Sequence, residues 1–423
     1  MERGSGILLH ITSLPNGILD KEAYKFIDFL QETGCKYWQI LPLGIPVMGL
    51  SPYQCLSGKG SNYFLLDEDL VKKSYKEKEY NYENFKKFKK SNPWIFNFAL
   101  FLSLKEFFNN TPWYQWPFEY RYKNKNRIQK IKLLLKEKID FFIFREFFFR
   151  ESWKNLKEYG NSKGIKIIGD IPIYVAHDSF DLWMNSNLFL ISKKGTLLKK
   201  AGVPGDYFNK NGQLWGNPIY NWKIMEKNKF SWWITLLKDK LNFYDYIRID
   251  HFRGFESYWS IPGKSIKANN GKWKKGPGKK LLKNFRKYPL IGEDLGIITD
   301  KVRTLLKESN IPGMEVFQFN ENIQSYEKNK IVYSGTHDNM TLKEWLLLNN
   351  RVENNFQIIE KLFDSKSDVV IIPMQDYLNL GKEGRMNTPG TKENNWLWKM
   401  EKDYYSRDLI EKITQLNKKY KRG

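Results

Sequence analysis

Residues 244–255 read YDYIRIDHFRGF, and the apolar first half runs into Arg248, Asp250, His251 and Arg253. Charges are costly to bury unless paired, so a strand that ends in such a knot needs a reason for it. Arg248 and Asp250 are two positions apart and lie on one side of an extended strand. A cation there would lower the carboxylate's pKa and keep it ionised, as a nucleophile requires. The pair could equally be a bridge that closes a barrel rim, and this stretch alone leaves both readings open. Two further apolar runs end the same way: YPLIGEDLG (288–296) in Glu293 and Asp294, and KIVYSGTHD (330–338) in His337 and Asp338. Two acids straddling a bond are what glycoside cleavage uses, one attacking and the other protonating the leaving oxygen. IGEDLG is the weaker signal, because a Glu-Asp pair before glycine also caps turns. In SGTHDN, small residues let the backbone approach a ligand. His10, His251 and His337 all end candidate strands, although a lone histidine is more often structural. No spacing suggests a transition-metal site, and no nucleophile elbow is present.

The elements that must hold these groups are eight short apolar runs. They cover 6–13, 37–43, 165–175, 244–252, 288–296, 314–319, 330–338 and 368–378. Near-continuous hydrophobicity predicts strands covered on both faces, hence a parallel sheet. Helical patterns fall between many of them; DKEAYKFIDFLQETG, for example, opens on an Asp cap and closes on Gly34. Eight strands interleaved with helices predict an α/β fold, a (β/α)8 TIM barrel, in which chemistry gathers at the C-terminal ends of the strands. A doubly wound open sheet is the runner-up, but no Gly-rich phosphate loop follows an early strand. Two connections are too long for simple crossovers. Residues 51–143 read as a mostly helical inserted subdomain and residues 176–231 as a loop-rich one, both on the C-terminal rim of one barrel spanning 1–423.

The net charge of +23 raises the question of a nucleic-acid partner. The lysines are scattered, often beside asparagine, with no basic helix and no binding-module signature, so specific nucleic-acid recognition is not expected. Cys35 and Cys55 form no metal or redox pattern and suit a reducing compartment. No apolar run approaches the roughly 18 residues that span a bilayer. Residues 1–12 lack a secretory leader, and a cytoplasmic location is expected. The fifteen tryptophans are mostly core material, yet aromatic faces also hold sugars.

In order along the chain, GILLHITSLP, YWQILPLG, SPYQ, GDIPIYVAHDSFDLW, AGVPGDYF, GQLWGNPIYNW, RIDHFRGFESYWSIP, GEDLG, YSGTHDN and the PMQDYLNLG…RMNTPGT…NWLW block resemble the 4-α-glucanotransferases, the amylomaltase or disproportionating enzymes of glycoside hydrolase family 77. The resemblance runs from about Arg3 to about Lys399. It implies a barrel with inserted subdomains and no separate C-terminal β-domain. It also implies Asp250 as nucleophile, Glu293 as acid/base and Asp338 as the third carboxylate, which stabilises the transition state. Arg248 and His337 match the residues flanking these acids. Tyr53, Trp215, Asn217 and Trp259 match positions lining the glucan groove, with GQLWGNP a loop over the cleft. The implied reaction is retaining and moves part of an α-1,4-glucan to the 4-hydroxyl of glucose or another glucan. It needs no cofactor. The implied partners are α-1,4-glucans, maltooligosaccharides and glucose. A monomer or homodimer is the default expectation for a soluble barrel enzyme. A plain α-glucan hydrolase on the same barrel, or a glycan-binding protein without activity, are the competing readings. The chain departs from the family pattern at ILDKEAYKF after TSLPNG, at CLSGKGSNYF after SPYQ, at Gly205 and at Lys399. These positions bear on the acceptor side and the inserts, and leave the three carboxylates intact.

Overall fold

The computed structural model describes residues 1–47, 49–205, 210–391 and 393–423. Twelve strands occur among them: β1 (Gly4–Leu8), β2 (Tyr37–Gln39), β3 (Lys166–Ile171), β4 (Lys199–Val203), β5 (Gln213–Pro218), β6 (Tyr246–Ile249), β7 (Ser257–Pro262), β8 (Lys272–Lys275), β9 (Leu290–Gly292), β10 (Gly313–Val316), β11 (Lys330–Tyr333) and β12 (Val369–Pro373). Eight of them pair in parallel in the order β10-β11-β12-β1-β2-β3-β6-β9. The ring is closed between β9 and β10, where the Gly292 amide donates to the Pro312 carbonyl at 2.9 Å. The (β/α)8 expectation is met, strand for strand and in order. The strands are shorter than the apolar runs because the residues after them turn out over the rim.

The barrel interior is filled by side chains from alternating positions, among them Leu8, Tyr37, Ile168, Ile291, Met314, Ile331, Tyr333 and Ile371. Outward-facing residues such as Ile7, Trp38, Ile167, Ile247, Val332 and Val370 pack under the helices. This two-sided burial explains why the runs lack polar alternation. At Gly169 on β3 a Cβ would lie 2.2 Å from the ring of Tyr244, so only glycine lets that ring close under the strand. The helix Lys21–Thr33 begins as its sequence indicates, with Asp20 accepting from the Glu22 amide. It ends at Gly34 in the left-handed region, φ 77°.

The long connection after β2 carries the helices Glu68–Glu77, Tyr82–Ser91, Trp94–Phe107 and Lys125–Leu134. It then enters the 27-residue helix Lys136–Ser162, which continues unbroken to the barrel wall before β3. Strands from two other connections form a second, antiparallel sheet, ordered β5-β4-β7-β8. The GQLWGNP segment therefore lies on a strand, β5, not in a loop. Asp206, Tyr207 and Phe208 of the AGVPGDYF block lie outside the described residues.

Candidate active site

Asp250 directly follows β6, and its amide donates to Ile171 O of β3 at 3.0 Å. Glu293 directly follows β9, with its amide on Ile249 O at 3.0 Å. The two acids thus leave adjacent strand ends side by side. The Glu293 carboxylate accepts from the amide of His251 at 2.6 Å and from that of Leu295 at 3.1 Å. It is seated on the backbone immediately after Asp250. His251 reaches this position in the left-handed region, φ 47°, which is uncommon for a histidine and re-aims the chain at the rim.

Arg248 is buried, as is Asp170 of β3, and the two form a short ion pair. Arg248 Nη1 also lies 3.5 Å from Asp250 Oδ1, whose side chain is 30% exposed. Arg248 and Asp250 do share one face, as their spacing indicates, but the arginine's nearer partner is Asp170. Burial works against the Arg248 charge, and Asp170, Tyr53, Asp250 and Glu293 outweigh it and keep the guanidinium firmly protonated. Burial pushes Asp250 up, Arg248 opposes it, and Glu293 and Asp170 add to the rise. Burial likewise pushes Glu293 up to about 7, against the pull of Arg248 and the two backbone amides. The pair therefore retains a proton near neutrality.

On the opposite side, Tyr53 Oη donates to Asp170 Oδ2 at 2.7 Å. Its ring stacks on His337, with centroids 5.1 Å apart and planes 15° apart. Burial lowers the His337 pKa, so this ring is neutral near pH 7. Asp338 is 48% exposed and stands 3.5 Å from His337 Nε2. Its Oδ1 accepts from the Asn387 side-chain amide, Nδ2, at 2.6 Å. Trp396 closes the group, 6.0 Å from Tyr53 and 5.8 Å from His337 between ring centroids. Its φ of 66° is an outlier for an aromatic residue.

Trp215 lies edge-on to His251 at 4.8 Å, its indole nitrogen donating to Gln213 at 2.9 Å. It packs against the side chain that follows Asp250. Asn217 is buried, and its amide is engaged by Gln54 at 2.8 Å and Val175 O at 3.0 Å. It ties β5 to the SPYQ loop. Trp259 sits on β7 with its indole nitrogen on Ala268 O at 2.8 Å and its ring against Trp273. No ring contact or hydrogen bond joins Trp259 to the carboxylates among the described residues.

The site thus draws together Asp250, Glu293, Asp338, Arg248, His337, Tyr53 and Trp215. Sequence reasoning missed Asp170, Asn387 and Trp396. Asp170 had a visible signal, a carboxylate inside the apolar run IKIIGDIPI. Asn387 and Trp396 had none of their own, since nothing local ties either to Asp338 or Tyr53. Asp294, which the sequence offered beside Glu293, is structural. It accepts from the Met314 amide and pairs with Lys330, both at 2.6 Å, across the barrel's closing seam.

A parallel barrel whose rim carries three carboxylates, two of them on adjacent strand ends beside a buried arginine, is an arrangement suited to chemistry on glycosidic bonds. A family model described as 4-alpha-glucanotransferase matches residues 9–83 and 68–404. The chain is 38% identical to the 4-alpha-glucanotransferase of Clostridium butyricum, over 98% of this chain and 100% of that one. It is also 38% identical to the 4-alpha-glucanotransferase of Aquifex aeolicus, over 97% and 98%. The fold superimposes on amylomaltase from Streptococcus agalactiae in complex with acarbose with a TM-score of 0.94 at 33% identity, covering all of both chains. Amylomaltase from Corynebacterium glutamicum shares the fold at a TM-score of 0.77 and 14% identity. The chain belongs to the 4-α-glucanotransferase family, glycoside hydrolase family 77. Among the described residues no helix is long and apolar enough to cross a membrane.

Proposed function

We propose that this 4-α-glucanotransferase works by double displacement, with Asp250 as nucleophile and Glu293 as acid and base. The observation that carries this reading is the seating of the Glu293 carboxylate on the His251 amide, which fixes it beside Asp250. Asp250 attacks the anomeric carbon of an α-1,4-glucan bound across the rim. The glycosidic C–O bond breaks, and Glu293 gives its proton to the departing 4-oxygen. The 4-hydroxyl of glucose or of another glucan then attacks the glycosyl-enzyme, returns its proton to Glu293 and frees Asp250. Two inversions leave the linkage α. The pair's retained proton suits this cycle, because one carboxyl must be acid while the other is anionic. Arg248, 3.5 Å from Asp250 and held by Asp170, opposes the rise that burial imposes on the nucleophile.

Asp338 binds sugar hydroxyls at the reacting ring, with His337 beside it. Tyr53 offers its ring as a floor. Trp215 and the β5-β4-β7-β8 sheet form one wall of the cleft, with Trp259 and Asn217 building that wall. The helical insert backs the loop carrying Tyr53. Every proton and electron pair in this scheme comes from side chains and substrate, so it calls for no cofactor.

Incubation with maltotriose tests the reading. Glucose together with oligomers longer than maltotriose is the expected result, and glucose and maltose alone would mean hydrolysis. Asp250→Asn should fold and melt normally while losing at least about 10³-fold in rate, roughly 4 kcal/mol of transition-state stabilisation. Near-native disproportionation by that variant would overturn the assignment.

A further inference from the structure

Asp376 is 1% exposed and lies in the helical turn Met374–Tyr377 that follows β12. Its Oδ2 accepts from the Ser334 hydroxyl at 2.6 Å, and its Oδ1 accepts from the Leu342 amide at 2.7 Å. Ser334 is the first residue after β11, and Leu342 opens the helix Leu342–Leu348. Between them runs SGTHDNMT, which carries His337 and Asp338. One carboxylate therefore grips both ends of the loop that presents the third rim acid. The loop is braced internally as well: Asn339 Oδ1 accepts from the Thr336 amide at 2.9 Å and from its hydroxyl at 2.8 Å.

Asp376 has no cationic partner within ion-pair distance among the described residues, and burial pushes its pKa up to about 6. A buried carboxylate without a counter-charge is a poor way to gain stability. A side-chain amide could accept from the Leu342 amide without burying a charge. What the carboxylate does, and an apolar group cannot, is accept from a hydroxyl on one strand end and an amide on the next helix at once.

We propose that Asp376 is a positioning residue that holds the Ser334–Leu342 loop by both ends and so sets the place of Asp338 in the cleft. The inference rests on the reading that Asp338 binds the sugar at the reacting ring. Asp376 touches no substrate in this account; it acts through Asp338.

A double-mutant cycle between Asp376→Ala and Asp338→Asn tests it, read by the Kd of acarbose from titration calorimetry, which needs no turnover and so works in inactive variants. Each single variant should bind acarbose about tenfold more weakly, as expected when a positioned contact is lost or displaced. In the Asp338→Asn background, Asp376→Ala should cost nothing further, because the group it positions is gone. Equal weakening in both backgrounds, or no weakening by Asp376→Ala, overturns the positioning role while leaving the Asp338 reading intact. An Asp338→Asn variant with native affinity overturns both. Asp376→Asn should stay within about threefold of native, because its oxygen can accept from Leu342 while its amide donates to a reoriented Ser334 hydroxyl; a loss as large as that of Asp376→Ala would also count against the proposal. If Asp376→Ala does not fold, Ser334→Ala in the same cycle removes one of the two grips with little change in volume. It should show a smaller loss that again vanishes in the Asp338→Asn background, and a loss that persists there overturns the proposal.

Discussion

At Glu293, seclusion from water and two backbone amides act in opposite directions, and seclusion wins. The carboxyl's pKa stands at about 7 against an ordinary 4.5, with burial the largest cause. The folded chain therefore binds this proton more tightly than the unfolded chain. The stability it contributes is present in full below about pH 4.5 and is lost as pH rises through about 7. Glu293→Gln removes the charge that is expensive to bury. Its melting temperature should match the native protein's at pH 4 and exceed it at pH 8, by an amount corresponding to roughly 1–3 kcal/mol. Activity runs the other way. Since Glu293 is the proposed acid, native kcat/KM for maltotriose should fall as pH rises past about 7. Glu293→Gln should be slow at every pH, without that fall, yet should still form a glycosyl-enzyme from α-maltosyl fluoride, whose leaving group needs no proton. A variant as slow on the fluoride as on maltotriose would reduce Glu293 to a structural role.

At the scale of elements, the second sheet decides what Trp215 does. A tryptophan in a loose arch could be removed at small cost, and one in the core could not. On β5 Trp215 is half-buried, with its ring edge on His251, its indole nitrogen on Gln213 and Tyr174 6.5 Å away. Its removal should destabilise the chain by less than the approximately 3–5 kcal/mol of a buried tryptophan truncation. The larger effect of Trp215→Ala should be on the products. With the cover over His251 gone, water reaches the glycosyl-enzyme beside Asp250, and the share of glucose and maltose over longer oligomers rises. Melting temperature and product ratio on the same variant separate the two effects. An unaltered ratio with a large drop in melting temperature would make Trp215 an anchor only.

The whole molecule depends on how its inserts are fastened to the barrel. Arg150, on the long helix Lys136–Ser162, bonds Glu146 at 2.7 Å and both oxygens of Asp239, at 3.0 and 3.2 Å, on the helix Ser231–Lys240. Glu146 in turn accepts from the amide and hydroxyl of Ser61, both at 2.9 Å. One guanidinium thus links the helical insert, a barrel helix and the segment that follows Tyr53. Arg150→Met leaves two buried carboxylates uncompensated and should cost about 3–5 kcal/mol in chemical denaturation. Arg150→Met combined with Asp239→Leu should recover much of that loss, because one of the two unpaired charges is then gone and the other, on Glu146, keeps the Ser61 amide and hydroxyl. Full loss in the double variant would show that the contacts to Glu146 and to the Lys59 carbonyl, 3.4 Å from Arg150, matter more than the pairing with Asp239.

The eight barrel strands, their order and the three carboxylates at their ends were legible in the sequence. A strand buried on both faces must be written as a continuous apolar run, and a barrel puts its chemistry where those runs stop. The Arg248–Asp250 pair was legible for the same local reason, two residues on one face of one strand. The antiparallel sheet was not. β4 and β5 read KKAGV and QLWGNP, rich in glycine, lysine and proline, and their strand character comes from pairing with each other and, for β4, with β7 in a connection that starts after β6. Nor could the sequence show that Asp170 takes the nearer side of Arg248, that Asn387 holds Asp338, or that Trp396 closes on Tyr53 and His337. Those contacts join residues tens to hundreds of positions apart. Local composition sets which groups reach the rim, but only closure of the barrel, by bringing the loop after β12 against those after β2 and β11, decides which of them touch.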